Sequence, residues 1–170
     1  VLGLAAHIGR SMFGAVVVGT VFGAVFFMTH LVWVDEFLGP VPWIALAGLE
    51  AIIFGLGAVP ITLVFRWSSQ RSRLNPMPFI VVPMVIAALW ASRELVMGSW
   101  PYSGFPWARI GMIQVTGPFA EVASWTGVTG LSFLIVVICA ATLHGFRVGT
   151  RRTWNPFIFA IGLSALLLVL

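Results

Sequence analysis

Five long apolar runs, about 11–34, 41–65, 78–97, 117–146 and 154–170, fill most of this chain and leave only short breaks between them. A helix needs about 20 mostly apolar residues to cross ~30 Å of hydrocarbon, and each run reaches or approaches that length. Irregular backbone is not tolerated against lipid, because its N–H and C=O groups would find no partners there, so helix is the default for every run. Asp35-Glu36 and Gly39-Pro40 end the first run, and the break 66–78, with Asn75-Pro76, ends the second. The break 147–155 separates the fourth from the fifth. Only 8% of the residues are charged, against roughly 25% in soluble domains, so the chain cannot coat a globule with polar surface. The expected fold class is all-α: a polytopic transmembrane bundle of about five helices, with 1–170 as one membrane domain.

Charge sets the orientation and removes several functions. All nine basic residues are arginines. The sequence pI is about 11.1, yet these arginines are scattered over short loops with no basic stripe interleaved with stacking aromatics, which argues against nucleic acid as a partner. Arg66, Arg71 and Arg73 share one loop, Arg147, Arg151 and Arg152 share another, and Arg10 precedes the first run. The positive-inside rule puts these three regions in the cytoplasm. A path alternating through five spans satisfies all three, and leaves Asp35-Glu36, the 98–116 break and the end after Leu170 outside. With no lysine there is no Lys nucleophile or Schiff base, and His7, His30 and His144 are too dispersed for a metal site. Neither a Gly-rich phosphate loop nor a Ser-His-Asp arrangement is present, so no cofactor is expected and no complete active site is visible. Cys139 is the single cysteine, which excludes an intrachain disulfide and reads as a small hydrophobe packed in a helix.

Small residues predict where helices meet. Ser11, Ala15, Gly19 and Gly23 recur at four-residue spacing in the first run, a face that lets two helices approach closely. It reads as an intramolecular packing face in preference to a dimer interface. Gly55 and Gly57 in the second run, and Gly127 and Gly130 in the fourth, are expected to serve the same purpose. Glu50 lies inside the second run, where an ionisable group is costly and is by default a functional candidate. The structural reading is a carboxyl that bridges helices, with Arg93 as one candidate partner. Arg93 and Glu94 sit near the outer end of the third run; as helix neighbours they point in different directions and should not pair with each other. Each could support the segment that follows, or Arg93 could meet a lipid phosphate.

That segment, 98–116, holds Trp100, Pro101, Tyr102, Gly104, Phe105, Pro106, Trp107 and Gln114. An aromatic belt at the outer interface would explain the aromatics, but not their mixture with two prolines and Gly104. Proline fixes φ and removes a donor, while glycine opens conformations closed to other residues. The combination predicts a fixed, folded-back, re-entrant segment on the outer side. Its shaped apolar surface would suit a lipid-binding enzyme, a channel lining or a docking surface.

Gly104-Phe105-Pro106-Trp107, followed by Gly111, Gln114 and Gly117-Pro118, resembles the membrane domain of apolipoprotein N-acyltransferases. Further motifs stand in the same order: Trp33-Val34, Gly39-Pro40 with Trp43, and Glu94 ahead of the Gly-Phe-Pro-Trp run. Gly127-Val128-Thr129-Gly130-Leu131-Ser132-Phe133 is similar to the Gly-Val-Tyr-Gly-Leu-Ser-Phe run of that family. The Arg93-Glu94 pair, Pro101 and the spacing to Gly104 look more like actinobacterial members. Met97-Gly98 stands where many members have Arg-Gly, so that arginine's role is not carried over.

The resemblance implies a bacterial cell-membrane enzyme of lipoprotein maturation. A phospholipid would be the acyl donor and a diacylated apolipoprotein the acceptor, with an extracytoplasmic nitrilase-like domain carrying a Glu-Lys-Cys triad after residue 170. Catalytic residues are then expected outside this chain, whose start at Val1 and stop inside an apolar run read as a piece of a longer protein. Within it, Trp100, Tyr102, Gly104, Phe105, Pro106, Trp107 and Gln114 become candidates for a lipid entrance, with Glu50, Arg93 and Glu94 as charged support. Two other readings stay open at this point: a scaffold fused to or partnering polyprenol-phosphate mannose synthase, and a small transporter or channel bundle using Glu50.

Overall fold

The computed structural model describes residues 11–71, 78–100, 103–114 and 116–149. Five α-helices are present among them: α1 (Met12–His30), α2 (Val32–Leu38), α3 (Pro40–Arg71), α4 (Pro78–Met97) and α5 (Val122–Gly149). Two 3-10 turns, Pro106–Ala108 and Ile110–Gln114, lie between α4 and α5, and there is no strand among the described residues. Four helical stretches are long and apolar enough to cross a membrane: Met12–His30, Pro40–Ser68, Ile80–Met97 and Val122–Leu143. This is an all-α membrane protein. The expected fifth span, 154–170, lies outside the described residues.

The chain divides into two compact units, one of Val1–Leu63 with Val96–Ala108, the other of Val64–Leu95 with Arg109–Leu170. In the first, α1 begins at Ser11, whose hydroxyl accepts from Gly14 N–H at 2.9 Å and satisfies one of the orphan donors of the first turn. Ala15, Gly19, Gly23 and Phe27 form its buried face. A Cβ added at Gly19 would lie 2.9 Å from Gly55 Cα, and one at Gly23 would lie 3.0 Å from Ala51 Cα. The small-residue face is therefore an intramolecular seam between α1 and α3, with the Phe27 and Phe54 rings closing one end edge to face at 6.3 Å.

The first apolar run does not form one helix. Leu31, fully buried, leaves helical geometry at φ −101°, ψ 16° and separates α1 from α2. Gly39, at φ 86°, ends α2 by donating to Asp35 O at 2.9 Å. Pro40 then opens α3 at a position where a missing N–H removes nothing. Pro60 and Pro83 lie inside α3 and α4, as membrane helices tolerate.

In the second unit, Leu131 and Ile135 of α5 form a core against which Ile110, Phe119, Val122, Ala123 and Cys139 pack. The sequence expectation that this helix starts near 117 is corrected: residues 117–121 form turns, and helix starts at Val122. Gly127 is corrected as well. It sits at φ 70°, ψ 173° and kinks α5, and a Cβ there would meet nothing within 4 Å. Its service is a backbone conformation open to glycine, not the close approach of a neighbour.

Candidate functional site

The expected site residues divide between the two units, and each group is a local construction. Glu50, Trp100, Gly104, Phe105, Pro106 and Trp107 belong to the first; Arg93, Glu94 and Gln114 belong to the second. Tyr102 lies outside the described residues.

In the first unit the chain leaves α4 by a tight reversal. Ser99 and Trp100 both donate their N–H groups to Val96 O, at 3.1 and 2.9 Å. Ser103 and Gly104 then take φ 77° and 74°, and Phe105 N–H returns to Met97 O at 2.7 Å. A Cβ at Gly104 would lie 2.6 Å from Met97 O and closer still to the backbone of Gly98 and Ser99. Only glycine fits that position. Pro106 begins the next 3-10 turn with its φ already set. Ser99, Trp100 and Phe105 are thus tied back to the end of α4, and Trp100 and Trp107 are each 61% exposed. Glu50 is 1% exposed, on α3.

In the second unit the 3-10 turn Ile110–Gln114 is held from two sides. Glu94 is 3% exposed, and its Oε1 accepts from Trp90 Nε1 at 2.8 Å and from Ile110 N–H at 3.0 Å. Gly111 N–H donates to the buried Ser132 hydroxyl at 2.9 Å. A Cβ at Gly111 would lie 2.6 Å from Val128 O, so α5 and the turn are in backbone contact. Gln114 is buried, with its side chain against Gly117, whose N–H donates to Gln114 O at 3.0 Å. Arg93 Cζ lies over the Trp90 ring, 3.8 Å from its centroid, within cation–π range. Glu94 therefore points to Trp90 and the turn, in keeping with the expectation that helix neighbours do not pair.

Sequence reasoning missed Trp90, Arg109, Thr129 and Ser132. Trp90 and Glu94 are four apart, a helical neighbour spacing that could have flagged the pair. In the sequence Ser132 stands out only as part of the 127–133 motif. Its hydroxyl meets a backbone N–H twenty-one residues away, and no local pattern announces such a contact. Chemically, these groups can bind and orient; they offer no nucleophile with a base beside it.

A family model described as the apolipoprotein N-acyltransferase N-terminal domain matches residues 1–141. The chain belongs to that family. Among curated relatives it is similar to the apolipoprotein N-acyltransferase of Shewanella oneidensis, 34% identical over 126 residues, covering 71% of this chain and 24% of that protein. It is 28% identical to that of Photobacterium profundum over 156 residues, 88% of this chain and 28% of the relative. The Haemophilus ducreyi apolipoprotein N-acyltransferase is 32% identical over 104 residues, 60% of this chain and 19% of its own length. The chain thus spans only about a fifth to a little over a quarter of these apolipoprotein N-acyltransferases. No solved structure matches it.

Proposed function

We propose that this chain is the membrane part of an enzyme that transfers a fatty acyl group from a phospholipid to the N-terminal cysteine amine of bacterial apolipoproteins. Family membership and the relatives' shared name support the activity, and none of the relatives named above is called a mannose synthase partner or a transporter. The observation that carries the role of this part is the reversal after α4. It presents two exposed tryptophans on a backbone that only glycine permits. Indoles combine a large apolar face with one donor, which suits acyl chains at a wet boundary. In this reading Trp100, Tyr102, Gly104, Phe105, Pro106, Trp107 and Gln114 line or shape the lipid and lipoprotein entrance. Glu50, Arg93 and Glu94 support it.

The enzyme is proposed to sit in the bacterial cell membrane, with the arginine-bearing regions 66–78 and 147–155, which include the ends of α3 and α5, cytoplasmic and 98–116 outside. A nitrilase-like domain would follow residue 170 on the outer side and supply a Glu-Lys-Cys triad, whose cysteine takes the acyl group as a thioester before it passes to the amine. The test is complementation. The full-length protein, expressed in a bacterium depleted of its own apolipoprotein N-acyltransferase, should convert diacylated lipoproteins to the triacylated form, read by mass spectrometry of lipoprotein N-termini. Diacylated lipoproteins persisting beside correctly inserted protein would refute the activity.

A further inference from the structure

We propose that Arg109 is a binding site for the phosphodiester of a membrane phospholipid. A guanidinium carries five N–H donors. Here one terminal nitrogen makes a single long hydrogen bond, to Thr129 Oγ1 at 3.4 Å. Its Nε is buried without an acceptor among the described residues, and a desolvated charged donor is costly until something anionic meets it. Glu94 does not discharge it: its Oε1 is committed to Trp90 and Ile110, and its Oε2 also has no hydrogen-bond partner among the described residues.

The position of Arg109 selects the missing anion. It lies between the membrane-length stretches Ile80–Met97 and Val122–Leu143, so its segment emerges where the hydrocarbon ends and headgroup phosphates begin. Seven of the nine arginines fall in regions that the positive-inside reading puts in the cytoplasm; Arg93 and Arg109 alone do not. Arg93 has a local reason, its stack on Trp90. For Arg109 a phosphodiester supplies one, since the planar guanidinium fork matches phosphate oxygens in pairs. The exposed apolar side chain of Ile113, in the turn that follows, favours a lipid over a free phosphate ion. The site rests on the membrane placement of the helices and goes beyond acyl transfer, because holding a phosphodiester requires no reaction.

The test uses the full-length protein in detergent, titrated with phosphatidylglycerol and, separately, with a diacylglycerol bearing the same acyl chains. Phosphatidylglycerol should bind more tightly. Arg109→Gln should weaken it about tenfold or more while leaving diacylglycerol unchanged, and Arg109→Lys should fall between. Wild-type phosphatidylglycerol affinity in folded Arg109→Gln would overturn the proposal, as would equal weakening of both lipids. Complete displacement of the lipid by millimolar inorganic phosphate would reassign the site to a free anion. Should Arg109→Gln not fold, Arg109→Lys carries the test, and an unchanged preference for phosphatidylglycerol over diacylglycerol then counts against the site. Binding is read without turnover, so failure here leaves the acyl-transfer proposal standing or falling on its own assay.

Discussion

Glu94 gathers two donors on one carboxylate oxygen, the indole N–H of Trp90 and the backbone N–H of Ile110. Truncating it to alanine leaves the Ile110 N–H and the Trp90 indole N–H without that oxygen, at about 1–3 kcal/mol for each buried unsatisfied group. Glu94→Ala should therefore lower unfolding stability in detergent by about 2–4 kcal/mol. Glu94→Gln keeps an oxygen in place and should retain most of it. An alanine variant as stable as the parent would show that the carboxylate does not hold the turn. Trp107 belongs to the opposite case. It is mostly exposed, so Trp107→Ala should change stability by no more than about 0.5 kcal/mol. If it contacts substrate as proposed, acyl transfer by the full-length enzyme should fall on the order of tenfold, the equivalent of one aromatic contact of about 1.4 kcal/mol. Thermal stability measured beside turnover separates the two: a large loss of stability with normal specific activity would leave only a packing role.

At the scale of elements, backbone conformation decides what side chains cannot. Gly104→Ala would add a Cβ at φ 74° against the backbone of residues 97–99, a strain of about 1–3 kcal/mol. The 98–114 reversal should loosen, with faster amide exchange at Phe105, whose N–H closes it, while the helices keep their protection. Unchanged exchange there would mean that the reversal does not depend on glycine. Much at this scale was legible in the sequence. Four apolar runs became long helices because their length and hydropathy leave the backbone no other way to satisfy itself in lipid. The Ala15-Gly19-Gly23 face met Gly55 and Ala51 because only small residues allow that approach. The break at Leu31 was not legible: neither glycine nor proline marks it, and hydropathy reports burial, not dihedral angle. In the sequence Gly127 looks the same as a packing glycine, for the same reason. The bond from Ile110 to Glu94 spans sixteen residues and exists only once the chain has folded back. The roles proposed for the lipid-entrance residues involve substrates, which no pattern in the chain encodes.

For the whole molecule, the apolar side chains turned outward are the main surface fact. Phe13, Val21, Ile80 and Trp125 are all largely exposed, a surface compatible with lipid and not with water. The proposed orientation is testable in intact cells, with Cys139, the single cysteine of this sequence, replaced. Ser69→Cys and Thr150→Cys should be shielded from an impermeant thiol reagent, and Ser103→Cys should be labelled. Labelling at Ser69→Cys without labelling at Ser103→Cys would invert the molecule in the membrane. The bilayer also reaches the proposed site mechanically. The adjacent N–H groups of Ile110 and Gly111 are tied to two different helices, α4 through Glu94 and α5 through Ser132. Helices answer a change in bilayer thickness by tilting. A tilt of α4 relative to α5 would load these two neighbouring bonds, so the turn would act as a strain gauge for the thickness of the membrane around it.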